Sequence, residues 1–307
     1  MSPWTDPSWQ AEAHAWIHGE LERLGAGVVG PIEQPHIVPW STVMRVPMGD
    51  GDAYFKANAP ELRHEAALTT LLAALRPDCV PPPLAVELER GWILMADAGT
   101  RLREAIESER DLDPWLEVLP LYAGVQLDLA GHLEELLALG TPDLRLATLA
   151  AKYERLLDAL EGLSPEESRR LRALVPRVAE LCDELAAYGV PETIQHDDFH
   201  DGQVYVRDGR YLLLDWGDAC VSHPFFTLSV TLEGVIAWGL DDVQDSVDVA
   251  PFRDAYLERF AGNGAGLVDA CKPALRLGWV CRAVNGHLPG QPEQTRTRLR
   301  MFADGRP

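Results

Sequence analysis

His196 to Asp215 reads HDDFHDGQVYVRDGRYLLLD, the stretch of this chain richest in side chains that carry chemistry. Its first eight residues put acids, two histidines and an amide into a short loop. Val204-Tyr205-Val206 and Tyr211 to Leu214 are β-prone, and Arg207-Asp208-Gly209-Arg210 between them carries Asp-Gly, so the spacing predicts a tight hairpin. That hairpin returns Asp215 beside the loop from Asp198 to Gln203. There Asp198 can accept a hydrogen bond from a hydroxyl and orient it for attack, while Asp215 and Gln203 offer oxygens to magnesium. Phosphoryl transfer from a metal–nucleotide complex needs a carboxylate and metal ligands of this kind.

Such chemistry also needs a cation for the nucleotide phosphates. Lys56, in the strand piece AYFKA, is the first lysine of a chain that otherwise uses arginine, and the next is Lys152. A lysine kept where arginine is the habit indicates a need for a compact point charge. Glu65, early in the following helical segment, can pair with it. Taken singly, each is ordinary: charged residues on strands are usually solvated, and acids favour the first turn of a helix. The downstream loop gives the pair its meaning.

The surrounding pattern predicts an α+β chain in two parts, with the boundary near residues 97–100. Asp6-Pro7-Ser8 starts a helix over Trp9 to Leu24, and VVG, IVPW, TVMRVP and AYFKA are strand pieces with a turn at MGDGD, 48–52. A helix over Glu61 to Leu75 ends at Arg76-Pro77, and LAVELE and GWILMAD form two further strands joined at Arg90-Gly91. From Leu102 to Tyr188 nearly everything reads as helix. One segment starts at Asp113-Pro114 and is bent by Pro120, and another begins at the capping box Ser164-Pro165-Glu166-Glu167. The expected domains are 1–97, a sheet with a bracing helix, and 98–307, helical and carrying the catalytic loop and the metal-binding hairpin.

These residues resemble the aminoglycoside phosphotransferase and choline kinase-like family, relatives of the protein kinases. The catalytic loop of that family runs His-x-Asp-x-x-x-x-Asn, usually with a second histidine two residues after the aspartate; here His196, Asp198 and His200 match, with Gln203 in the last place. Asp215-Trp216-Gly217 matches the metal-binding Asp-Phe/Trp-Gly element. The resemblance implies a bilobal protein-kinase-like fold, with a small antiparallel-sheet lobe and a large, mostly helical one. It implies Asp198 as the catalytic carboxylate in a segment with His196 and His200, Asp215 as the principal magnesium ligand and Gln203 as a second. It further implies Lys56 on the ATP phosphates braced by Glu65, and Met95, Ala96 and Asp97, in WILMADAG, as the hinge that meets the adenine. ATP and magnesium are the expected cofactors, with GTP left open as the nucleotide.

The chain departs from the family pattern in three places. Gln203 is one methylene longer than asparagine. PHIVPWSTVMRV, where a phosphate-covering loop belongs, contains no glycine, leaving Ser41 and Thr42 as hydroxyl donors. Thr227 stands where a further aspartate often follows the metal element. Two rival readings remain beside the kinase. A catalytically silent, nucleotide-binding pseudokinase is consistent with the first two departures. The segment His196-Asp197-Asp198-Phe199-His200 also resembles the zinc-hydrolase motif H-E-x-x-H, which requires a helix to set both histidines on one face.

For the acceptor, Glu233, Trp238 and Asp241 are the candidate contacts, since carboxylates and a tryptophan suit an ammonium group. That points to a small molecule such as an amino sugar, an aminoglycoside or an amino alcohol. The bland alternative is a solvated acidic loop beside a core tryptophan. A net charge of −21 argues against nucleic acid. No apolar run reaches membrane-spanning length, and Phe225 to Leu240 is interrupted by Glu233 and two glycines. MSPWTDPSWQ shows no basic-then-apolar signal, and the cysteines are five with no CxxC pair, so reduced thiols in a cytoplasm are expected. The oligomeric state is left open.

Overall fold

The computed structural model describes residues 3–263 and 266–305. Helix α1 (Pro7–Arg23) is followed by strands β1 (Glu33–Val38), β2 (Ser41–Met48) and β3 (Gly51–Asn58), helix α2 (Glu65–Leu75), and strands β4 (Ala85–Glu87) and β5 (Trp92–Ala96). Beyond a two-residue strand, β6 (Thr100–Arg101), run helices α3 (Leu102–Glu109), α4 (Trp115–Leu129), α5 (Leu133–Ala138), α6 (Leu146–Ala159), α7 (Pro165–Ala173) and α8 (Val175–Ala186). Strand β7 (Thr193–Gln195), the hairpin of β8 (Val204–Arg207) and β9 (Arg210–Leu213), and β10 (Cys220–Ser222) come next. Helices α9 (Ala250–Glu258), α10 (Leu267–Asn285) and α11 (Pro292–Ala303) end the chain. The α+β class is as expected.

Two compact units emerge: Met1–Thr100 with Val204–Gly217, and Arg101–Gln203 with Asp218–Pro307. This differs from the domains drawn from sequence in two respects, the first being that the boundary falls after Thr100 in place of residue 97. Second, the β8–β9 hairpin, assigned there to the helical part, belongs to the first unit. The Leu213 amide donates to the Cys79 carbonyl at 2.8 Å, which ties the hairpin to the chain just after α2.

In the first unit the antiparallel sheet runs β1-β2-β3-β5-β4. Strand periodicity sorts β3 into two faces. Ala53, Phe55 and Ala57 enter an apolar core with Ala13, Ile17 and Leu21 of α1, Met44 and Val46 of β2, and Leu94 of β5. Trp16, Phe55 and Trp92 meet there with ring centroids 5.4–5.7 Å apart. Helix α1 begins where Asp6 was expected to cap it, the carboxylate accepting from the Ser8 and Trp9 amides. Lys56 and Asn58, out of phase with Phe55, face the other way, where α2 begins.

The structure corrects two boundaries. The helix expected from Glu61 is a 3-10 turn at Pro60–Leu62 followed by α2 from Glu65, so Glu65 is the first residue of its helix. IVPW does not continue as strand: Pro39-Trp40 forms a two-residue turn between β1 and β2. The predicted hairpin forms as spaced, with Val204 opposite Leu213 and Arg207 opposite Arg210. Asp208 and Gly209 both take positive φ, 52° and 71°, as a type I′ turn requires.

In the second unit α4 carries Gln126, wholly buried, whose amide donates to the carbonyls of Ile194 and Pro224 and accepts from the Tyr256 hydroxyl. These bonds fix β7 and the segment after β10 to the helical core, and β7 pairs with β10 antiparallel. Helix α7 starts with the capping box that Ser164 and Glu167 spell out. Pro120 lies inside α4. All five cysteines are free and buried. Among the described residues no helix is long and apolar enough to cross a membrane.

Candidate active site

Three residues far apart in sequence converge in the first unit. The Lys56 ammonium lies 2.7 Å from Glu65 Oε2, 2.8 Å from Glu65 Oε1 and 2.5 Å from Asp215 Oδ1. Asn58 Nδ2 donates to Glu65 Oε2 at 2.5 Å. Glu65 is 1% exposed, so it is no solvated first-turn acid; α2 starts there because the 3-10 turn before it redirects the chain. Burial works against the charged lysine, but the carboxylates of Asp215 and Glu65 outweigh it and hold the ammonium above its ordinary range. Lys56 therefore stays cationic. The Asp215 side chain is about half exposed, whereas Glu65 is enclosed. Of the two carboxylates, Asp215 is the one open to a further ligand.

The backbone places Asp215 through an unusual conformation. Its φ is 64°, in the left-handed region that aspartate tolerates better than most residues. Trp216 then turns inward, fully buried, its indole donating to the Leu213 carbonyl at 3.2 Å. At Gly217 a Cβ would meet Glu65 Oε2 at 3.0 Å, so the glycine of Asp-Trp-Gly makes room for the buried carboxylate.

The expected phosphate donors fare differently. Thr42 is wholly buried, and its hydroxyl donates to the His36 carbonyl at 2.8 Å and accepts from Gln34 Nε2 at 2.9 Å. It is spent on holding β1 to β2 and is not a phosphate donor. Ser41 is also buried, at the start of β2. Met95 pairs with Tyr54 and Ala96 with Ala53, and the Asp97 amide donates to the Asp52 carbonyl, so the hinge segment is the end of β5.

In the second unit His196 to Gln203 is a loop after β7. The two histidines do not share a helix face, and the zinc-hydrolase reading falls on that ground. His196 is fully buried, its backbone amide donating to the Tyr122 hydroxyl oxygen at 2.9 Å; Tyr122 also stacks on Phe199 at 4.1 Å. Asp197 takes φ 64° and turns its carboxylate inward to Gln195 and Asn285. The next residue, Asp198, turns back toward solvent, with its side chain 23% exposed.

Arg282 of α10 donates to Asp198 Oδ1 and to the Asp197 carbonyl. His200 Nε2 lies 3.7 Å from Asp198 Oδ2. Burial acts to raise the Asp198 carboxyl, but His200 and Arg282 outweigh it and hold it well below the usual carboxylate range. It is ionised at neutral pH and can accept hydrogen bonds. In neutral His200, Nδ1 accepts from the Gly202 amide at 2.9 Å and Nε2–H faces Asp198. Burial lowers this imidazole, yet Asp198 and Asp201 push it up to about 9, and protonation would cost the Gly202 bond. The Gln203 amide lies 3.4 Å from His200 Nε2.

The acceptor candidates separate. The Trp238 indole donates to the Glu233 carbonyl at 3.0 Å, and the Trp279 indole to Glu233 Oε2 at 3.3 Å. Glu233 Oε1 is buried and, among the described residues, has no hydrogen-bond partner. Asp241 is not with them: it is largely exposed and paired with Arg110 at 2.7 Å, a surface contact of little energetic weight. Burial, with Asp245 adding to it, pushes the Glu233 carboxyl up to about 8 from an ordinary 4.5. A raised folded-state pKa supplies stability below pH 4.5 that is lost as pH rises through 8. Glu233→Gln should therefore flatten the fall in Tm between those values, measured by thermal melts against wild type. Parallel curves would show that Glu233 is not a buried neutral acid.

Arg282, Asn285, Asn58 and Trp279 escaped the sequence reading. Asn58 carries a signal, since it follows Lys56 at the strand period. Arg282 and Asn285 carry none, because they reach the loop from a helix more than eighty residues downstream.

Residues 52–271 match the family model described as phosphotransferase enzyme family. The chain belongs to that family. Its fold is shared by the streptomycin–ATP–APH(2")-IIa ternary complex, with a TM-score of 0.64 at 12% identity over 96% of this chain and 97% of that one. It is also shared by an ethanolamine kinase from Plasmodium vivax, with a TM-score of 0.60 at 14% identity over 89% of this chain and 82% of that one. A glucosamine kinase from Streptacidiphilus jiangxiensis is 41% identical over 64 residues, which are 20% of this chain and 15% of that protein. The chain thus spans under a sixth of the length of this curated relative. These solved structures share the bilobal kinase-like fold that the catalytic loop implied.

Proposed function

We propose that this phosphotransferase moves the γ-phosphoryl group of ATP, with magnesium, to a hydroxyl of a small cationic acceptor, with amino sugars foremost. The observation that carries the reading is the ion network of Lys56, Glu65 and Asp215, which joins β3, α2 and the end of the hairpin. A buried lysine held charged by one enclosed carboxylate and one open carboxylate suits a polyphosphate and its metal.

The donor set fits magnesium. Among the described residues no group of three or more His, Cys, Asp or Glu side chains could hold a metal. Magnesium, however, is usually held by one or two carboxylates together with substrate phosphates, not by an all-protein cage. Asp215, whose carboxylate is about half exposed, would hold it. The bound ion would neutralise charge on the phosphates. Lys56 would bind the phosphates as a point charge, and Glu65 with Asn58 would keep it in place. Asp198, ionised, would accept a hydrogen bond from the acceptor hydroxyl through Oδ2, since Oδ1 is held by Arg282.

For the acceptor, Glu233 has the unpartnered buried oxygen, and an ammonium beside it would favour its ionised form. The partial identity to a glucosamine kinase puts amino sugars first in the panel, followed by aminoglycosides and amino alcohols. GTP is tested alongside ATP. The decisive assay is magnesium-dependent ATP consumption with product mass spectrometry across that panel. A single acceptor gaining about 80 Da, the mass of one phosphoryl group, supports the reading. Nucleotide binding with no phosphorylated product supports the silent reading, which the glycine-free Pro39-Trp40 turn and the committed Thr42 hydroxyl favour. Asp215→Ala should abolish the magnesium dependence of nucleotide binding by calorimetry; an unchanged dependence would remove Asp215 from the metal role.

A further inference from the structure

Helix α10 ends outside the segment that matches the family, which stops at residue 271. Its last turns nonetheless reach the catalytic loop. Arg282 donates through Nη2 to Asp198 Oδ1 and through Nη1 to the Asp197 carbonyl. One turn on, Asn285 Nδ2 donates to Asp197 Oδ2 at 2.9 Å and to the Asp218 carbonyl at 2.6 Å. Residues three apart on a helix share a face, so one face of α10 grips the loop at its backbone, at Asp197 and at Asp198.

The arginine is itself held from behind. Arg298 of α11 donates to the Arg282 carbonyl at 3.0 Å. A Cβ at Gly286 would come within 2.3 Å of Arg298 Nη1, so the glycine after α10 clears the path for that guanidinium. Asp197, Asp198 and Asp218 surround Arg282 with negative charge, and Arg298 is the neighbouring cation. The Arg282 side chain is only 14% exposed.

We propose that Arg282 is a positioning residue for phosphoryl transfer: its planar fork fixes the Asp198 carboxylate by one oxygen and the loop backbone by the Asp197 carbonyl, leaving Oδ2 to orient the acceptor hydroxyl. Two donors on one rigid plane set the direction of a carboxylate, which a single contact cannot do. Lysine could supply the charge but cannot span both acceptors. This inference rests on the reading of Asp198 as the hydroxyl-orienting group.

The test uses the full chain and the acceptor found in the panel, with Arg282→Gln, Arg282→Lys, Asp198→Asn and the Asp198→Asn/Arg282→Gln double variant. Arg282→Gln should lower kcat about a hundredfold, the loss expected when a reacting group is displaced by about 1 Å, with KM for ATP unchanged. Arg282→Lys should recover only part of that loss. Because Arg282 acts through Asp198, the double variant should be no slower than Asp198→Asn alone. Should Arg282→Gln fail to fold, the lysine variant still decides, since it keeps the charge and loses the fork. Wild-type kcat in either Arg282 variant overturns the proposal, as does an additive loss in the double variant. Full turnover in Asp198→Asn would instead remove the underlying reading of Asp198.

Discussion

Asp198→Asn is expected to lower kcat about a thousandfold while ATP binding stays near wild type, the range expected for losing a group that handles a proton in the transition state. Asparagine keeps the shape and can still accept from Arg282, but it loses the charge with which Asp198 would polarise and orient an acceptor hydroxyl. The wild-type carboxylate is ionised because His200 and Arg282 overcome its burial. Lys56, Glu65 and Asp215 form their own network without Asp198, so nucleotide affinity has no reason to fall. Single-turnover kinetics and calorimetry with a nonhydrolysable nucleotide separate the two effects. Near-normal kcat would remove Asp198 from the chemistry, and a parallel loss of nucleotide affinity would point to a collapsed fold.

Lys56→Met is expected to cost both stability and turnover, for different reasons. It leaves the Glu65 carboxylate unpaired with only Asn58 donating to it, and breaking one side of a buried ion pair costs roughly 3–5 kcal/mol. Turnover is lost because the phosphates lose their cation. The Lys56→Met/Glu65→Gln variant separates the two. It removes the stranded charge and should regain most of the stability in urea unfolding, yet remain inactive. A double variant no more stable than the single one would show that the pair is not the source of the cost. Turnover in either variant would show that Lys56 does not serve the reaction.

Much of the candidate site was legible because its residues obey local rules. The hairpin from Val204 to Leu213 followed from two β-prone runs around Asp-Gly, and its register came out as spaced. Lys56 stood out by type, and its face was set by the two-residue period that sends Phe55 to the core. The capping box at Ser164 and the cap at Asp6 are short-range signals that helix termini need whatever surrounds them. Where the reading erred, longer-range contacts decided. Thr42 looked like a free donor, but its hydroxyl belongs to Gln34 and His36 of the neighbouring strand. Asp241 looked like part of an acceptor cluster with Glu233, but the chain turns it out to Arg110.

The sequence by itself therefore determined the order of elements, the candidate catalytic segment His196 to Gln203 and the pairing candidates Lys56, Glu65 and Asp215. Each is written in residue type and spacing over a few positions. Tertiary structure alone decided which carboxylates are enclosed and which are open, and what holds Asp198. Glu65 is buried and Asp215 is half exposed although both meet the same lysine. Asp198 is fixed by an arginine eighty-four residues away. Burial and long-range charge pairing depend on which surfaces the folded chain brings together, and no local pattern encodes them.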